Sequence, residues 1–287
     1  MMRYRLGCEL SYEVLRPSVM IFNFEVARLA RHLDLVEHLV VTPAHDRRTH
    51  VVPRDGNRYL SVHADPGPLT VRYDAEVSLD VLRADPGSIR ETPVTELPLD
   101  ILPFLLPSRF VPSDRLGAYA EREFGFIPKG HGRVTAICNW IYDNIDYQRG
   151  SSTGQTTADE SLLLRAGVCR DFAHIGISFC RALGIPARFV SCYAEGLEPA
   201  DFHAVFEAYL DGRWWLFDAT RQAHLDGLVR IGVGRDAAEI AFATPFGQIE
   251  CGPIQISIAA AEARPVLLER TTDAISTAEP VTFEQYI

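Results

Sequence analysis

The sequence predicts an α+β protein: an N-terminal antiparallel β-sandwich followed by helices packed on an antiparallel sheet. Three observations lead there. Two N-terminal stretches alternate apolar and polar residues with period two, the pattern of half-buried antiparallel strands. Beyond residue 130 the apolar period lengthens to that of a helix. Residues 203–220 then return to strand-like runs around an Asp-Gly pair, a strong hairpin signal.

Taken in order, every even position from Tyr4 to Val14 is apolar or Cys, and every odd position is polar or Gly. Asp55-Gly56-Asn57 and Asp65-Pro66-Gly67-Pro68 supply turns. Residues 24–40 admit either a helix or short strands flanking 27–34. From Leu69 to Val81 every odd position is apolar, with Thr70, Arg72, Asp74, Glu76, Ser78 and Asp80 between. Pro93, Pro98, Pro103, Pro107 and Pro112 rule out a long helix and suit an extended crossing between two domains. The expected division is 1–103 for the sandwich and 104–287 for the second domain, C-terminal strands included. Val134, Ile137, Ile141 and Ile145 form a helical stripe. Residues 148–160 read as a polar loop, followed by a short helix. Phe172, Ile175, Phe179 and Leu183 mark one face of the next helix, which Gly184 and Pro186 end.

The composition sets bounds. Of 287 residues, 47% are apolar and 23% charged, enough for a large core. A net charge of −10 argues against nucleic acid or an anionic membrane as partner, since both require a basic face. The N-terminus has no apolar run of signal-peptide type, and no stretch of 18 apolar residues occurs, so a cytoplasmic protein is expected. The six cysteines contain no CxxC pair and fit neither a zinc site nor a disulfide framework. The nine histidines lack HxxxH spacing. No metal and no cofactor is expected.

Cys169 is the residue that asks for a chemical explanation. It lies in Gly167-Val168-Cys169-Arg170-Asp171-Phe172, at the predicted start of a helix. A thiol there faces unpaired N–H groups and the positive end of the helix dipole. Both favour the thiolate, and the same N–H groups can receive an oxyanion. Gly167 is expected to permit a sharp turn and leave space for a substrate carbonyl. A free cysteine is most often plain buried filler, but charged Arg170 and Asp171 beside it argue otherwise. In the hairpin, a two-residue Asp211-Gly212 loop pairs Leu210 with Arg213. His203 and Asp218 then fall on one face as diagonal neighbours, about 7 Å apart or less at Cβ. A carboxylate that holds one imidazole nitrogen leaves the other free to take a thiol proton, the logic of Cys-His-Asp nucleophilic catalysis. His174, on the cysteine helix, reads as a packing residue.

GVCRDFAHIGISFCRALGIPARFVSCY, then His203, then RWWLFDATR, resembles the core of the transglutaminase-like superfamily. The likeness covers about 133–225. FLLPSRFVPSD and GRDAAEIAF are similar to its bacterial branch, transglutaminase-like enzymes and cysteine proteases. The resemblance implies a papain-like core with Cys169, His203 and Asp218 as the catalytic groups. The animal cross-linking enzymes also use a tryptophan upstream of the cysteine. Residues 148–160 contain none, Trp140 is the nearest, and no acidic cluster resembles a calcium site; both departures count against cross-linking. The expected function is acyl transfer on a peptide or protein amide through a Cys169 thioester, with hydrolysis favoured. The alternatives are an amine-accepting transglutaminase and a non-catalytic protein-binding module. The second oxyanion donor is left unassigned.

Overall fold

A computed structural model describes residues 1–262 and 272–278. The N-terminal strands are β1 (Met2–Val14), β2 (Ser18–Phe22), β3 (His32–Thr42), β4 (Asp46–Val51), β5 (Arg58–Ala64), β6 (Gly67–Leu79) and β7 (Leu82–Ala84). Helices α1 (Gly117–Phe124) and α2 (His131–Asn144), strand β8 (Asp146–Tyr147), helix α3 (Ala158–Leu164), strand β9 (Ala166–Gly167) and helix α4 (Cys169–Ala182) follow. The chain continues as β10 (Ala187–Ala194), β11 (Phe202–Leu210), β12 (Arg213–Phe217), β13 (Leu228–Gly234), β14 (Ala243–Phe246), β15 (Ile249–Ala260) and β16 (Ala274–Ser276).

The fold is the expected α+β, with a β-sandwich and a core of helices packed on an antiparallel sheet. One sandwich sheet runs β15-β1-β6-β3 and the other β14-β2-β5-β4. The even residues of β1 face inward, as alternation requires: Tyr4, Leu6, Leu10 and Val14 are buried against Val71, Tyr73 and Val77 of β6. The core sheet runs β12-β11-β10-β13, with α4 packed across it. The two halves share an interior: Tyr193, Val229 and Ile231 of the core sheet pack into the sandwich cluster. The Tyr193 hydroxyl donates to the Phe24 carbonyl at 2.9 Å. Asn57 pairs with the Val233 backbone through both amide atoms, at 2.7 and 2.9 Å.

Several expectations are corrected. The expected division places the C-terminal strands with 104–287, yet β15 pairs along β1 and β14 along β2. They complete the N-terminal sheets, and β15 caps an edge that β1 would otherwise expose. Of the two readings open for 24–40, the helix does not form and a strand does, β3 starting at His32. Ala27 N–H donates to Arg230 and Arg28 N–H to Gly56, so the backbone groups a helix would need are spent at long range. The proline-spaced segment is not simply extended. It folds into short 3₁₀ turns at Val94–Glu96 and Leu99–Leu105, with Pro93 and Pro98 at their caps. Helix α3 begins inside the expected polar loop. Thr157 is its N-cap, and Glu160 Oε2 accepts the Thr157 N–H at 2.8 Å, a capping box written in the sequence as Thr-x-x-Glu.

Candidate active site

Helix α4 starts at Cys169, with Val168 as N-cap in an extended conformation. Asp171, in the first turn, closes this end: its N–H donates to the Val168 carbonyl at 2.9 Å, and its Oδ2 accepts the Val168 N–H at 2.9 Å. Oδ2 also accepts from Ser152, and Oδ1 from Arg170. Arg170 in turn donates to the Thr153 carbonyl at 2.6 Å, so the loop before α3 is tied to the cysteine end of the helix. Of the predicted stripe, Phe172, Ile175 and Phe179 are buried and Leu183, at the C-cap, is half-buried, but every residue from Asp171 to Arg181 is buried as well. α4 is a central helix with no free face. Arg181 is accommodated because its guanidinium donates to the carbonyls of Ala187, Leu106 and Arg235.

Gly167 plays a different part from the one expected. A Cβ there would meet the Cβ of Asp171 at 2.7 Å, so the Asp171 side chain, not a substrate carbonyl, occupies the space that glycine leaves.

The hairpin forms in the predicted register: Leu210 faces Arg213, Tyr209 faces Trp214 and Phe206 faces Phe217. Asp211 and Gly212 both have positive φ, 50° and 74°, as a two-residue primed turn demands. His203 and Asp218 consequently meet, with Nε2 to Oδ2 at 3.0 Å and both side chains almost fully buried. The other carboxylate oxygen is held by Thr220, whose N–H and Oγ1 donate to Oδ1 at 2.8 and 2.7 Å. With Nε2 committed to Asp218, Nδ1 is the nitrogen left to face a thiol. The Cys169 thiol approaches this ring.

Electrostatics separate these groups from their chemical siblings. Burial lowers His32 and His131 to about 4 and His174 to about 3, so these rings are neutral packing residues. His174, for example, lies between Phe110 and Phe189 and accepts the Ala237 N–H at 3.2 Å. Burial pushes His203 the same way, but the Asp218 charge and hydrogen bond, with the Cys169 thiol, overcome it and raise the ring to about 10. For Asp218, burial raises the carboxyl, and the His203 charge with the His203 and Thr220 hydrogen bonds carries it below its ordinary value. The thiols divide too. Cys8, Cys138, Cys180 and Cys192 are buried, and burial pushes all four upward. Cys169 is half-buried at a helix start beside an imidazole.

Three contributors escaped the sequence reading. Thr220 braces Asp218, and Asp-x-Thr is a recognisable signal for such a turn. Asp171 joins the helix start to the loop through Ser152. Tyr147 lies on β8, opposite Gly167 of β9 in a parallel pair, and its hydroxyl approaches both the backbone N–H and the thiol of Cys169. No local pattern signals a parallel two-residue pairing. Trp140, by contrast, packs edge-on against Tyr119, Phe124 and Phe179. Among the described residues no group of three or more His, Cys, Asp or Glu could hold a metal, and no helix is long and apolar enough to cross a membrane.

A thiol at a helix start, faced by an imidazole that a buried carboxylate holds, defines the class of site. Residues 121–219 match the model of the transglutaminase-like superfamily core. The chain is similar over nearly its whole length to a solved structure from Cytophaga hutchinsonii named "Putative Cysteine Protease". The two are 38% identical, the match covers 96% of this chain and 97% of that one, and the TM-score is 0.90. The chain belongs to the transglutaminase-like superfamily. Among curated relatives, the uncharacterized protein ML0607 of Mycobacterium leprae is 31% identical over 150 residues, 48% of this chain and 52% of that protein. Rv2569c of Mycobacterium tuberculosis, also uncharacterized, is 28% identical over 220 residues, 71% of this chain and 63% of its own length. The chain thus spans between about half and two thirds of the curated relatives it matches. Membership and the cysteine-protease neighbour support a cysteine-dependent hydrolase or transglutaminase-like activity.

Proposed function

We propose that the protein catalyses acyl transfer from a peptide or protein amide through a thioester on Cys169, with water as the usual acceptor. The observation that carries this reading is the His203–Asp218 bond at 3.0 Å in a buried setting, with the Cys169 thiol approaching the same ring. His203 takes the thiol proton, and the imidazolium formed is held by Asp218. The Cys169 sulfur attacks the amide carbonyl carbon. The carbonyl π pair moves to oxygen, where the Cys169 N–H at the start of α4 can receive it. As the intermediate collapses, His203 gives its proton to the leaving amine. It then takes one from water, whose oxygen attacks the thioester and regenerates the thiol. An amine in place of water gives transglutamination.

The test is turnover of glutamine, asparagine and peptide substrates with and without an added primary amine. Hydrolysis without amine supports the reading, and a product formed solely with amine supports cross-linking instead. Cys169→Ala abolishes either activity, and a variant that keeps turnover refutes the mechanism. A folded wild type with no turnover and no Cys169 reactivity fits a binding module.

A further inference from the structure

The acyl-transfer reading leaves one question open: what assists the Cys169 N–H in holding the oxyanion. We propose that the hydroxyl of Tyr147 is the second oxyanion donor, the inference resting on the thioester mechanism above. Three features place it. The β8–β9 pair sets Tyr147 beside Gly167, two residues before the nucleophile. Hydrogen bonds on both sides of it, Asp146 N–H to Arg165 and Gln148 N–H to Gly167, each 2.9 Å, fix its backbone. Its ring rests on Phe172 of α4, with centroids 5.7 Å apart.

The hydroxyl therefore stands near the Cys169 N–H and Sγ, where the oxygen of an attacked carbonyl must go. The Cys169 N–H reaches toward the Tyr147 oxygen, so a carbonyl oxygen that enters between them meets both donors. Of the neighbouring hydroxyls, Ser152 donates to Asp171 and Ser151 to the Gln148 carbonyl. Tyr147 is also about one-third exposed. Burial and the neighbouring thiol raise its pKa to about 12, so the phenol keeps the proton it would donate.

In the step itself, the carbon–sulfur bond forms as the carbonyl π pair becomes an oxyanion. The Tyr147 O–H and Cys169 N–H each donate a hydrogen bond to it, and no proton is transferred. Collapse restores the carbonyl and expels the leaving group. Tyr147 contributes in the transition state and leaves thiol activation to His203.

Two reactions of Cys169 separate those contributions. Acylation by p-nitrophenyl acetate passes through an oxyanion, whereas alkylation by iodoacetamide displaces iodide at a saturated carbon and forms none. For Tyr147→Phe, which keeps the ring on Phe172, acylation falls about 100-fold or more and alkylation stays within about twofold of wild type. Equal acylation rates in the two proteins overturn the proposal, as does a parallel fall in both reactions, which would make Tyr147 a partner of the thiolate. A wild type that p-nitrophenyl acetate does not acylate sinks the thioester reading together with this one.

Discussion

At the scale of single residues, what distinguishes this site is how two buried groups use each other. Neither His203 nor Asp218 could sit charged in the interior alone. Together they raise the imidazole to about 10 and depress the carboxyl. The sign of each contribution follows. The raised histidine stabilises the fold fully below about pH 6.5 and loses that effect as pH rises through about 10. The depressed carboxylate contributes above its ordinary value and loses its effect as pH falls through its folded one. Asp218→Asn keeps the shape and removes the charge, so the His203 ring returns toward neutrality and no longer stabilises a thiolate beside it. Alkylation of Cys169 by iodoacetamide at pH 7 then slows on the order of tenfold or more. An unchanged rate would show that the carboxylate does not act through the ring. His203, Asp218 and Cys169 were all legible in the sequence, because each owes its place to local structure: a helix start and an even hairpin. Tyr147 was not, because β8 and β9 meet only through the fold.

At the scale of elements, the site is a joint between α4 and the hairpin of β11 and β12. Gly176 sets how closely they approach. A Cβ there would meet the Phe206 ring at 2.5 Å, and Phe206 stacks on Phe217 across the hairpin, centroids 5.6 Å apart. Gly176→Ala must displace that ring or move the helix. The expected destabilisation is about 1–3 kcal/mol, measured by urea unfolding, with slower Cys169 alkylation because thiol and imidazole no longer meet. An alanine variant of wild-type stability and reactivity would mean the joint has slack. The two-residue turn and its register could be read from Asp211-Gly212. The all-round burial of α4 could not, because a 3.6-residue stripe reports one apolar face and is silent on Arg181 and Asp171, which are buried by hydrogen bonding. The Thr-x-x-Glu box that starts α3 was present at Thr157 and Glu160 but stood within a Ser- and Thr-rich stretch that read as loop.

At the scale of the whole molecule, sandwich and core are joined by sequence-distant strands. Alternation in β1 and β6 identified the sandwich, yet nothing in 243–260 states that β14 and β15 return to it. Their partners lie more than 200 residues away. The shared interior has a consequence in acid. His32, His131 and His174 are held neutral by burial, at about 4, 4 and 3. Each takes up a proton on unfolding below about pH 6.5, so stability declines as pH falls from there toward 4. The slope from these three approaches about 4 kcal/mol per pH unit. Urea unfolding at pH 7, 6 and 5 measures it, and His131→Phe, which keeps a ring against Phe217, flattens it by about a third. A flat profile over that range would show these rings already protonated in the fold.

The central claim, that Cys169 carries the acyl group, is tested most directly by incubating the protein with a peptide amide substrate, quenching in acid and mapping the adduct by mass spectrometry. The account predicts an acid-stable acyl mass on the peptide containing Cys169, released by hydroxylamine and lost in His203→Ala. Substrate turnover with that peptide left unmodified at every time sampled, or an acyl group mapped to another residue, would contradict it.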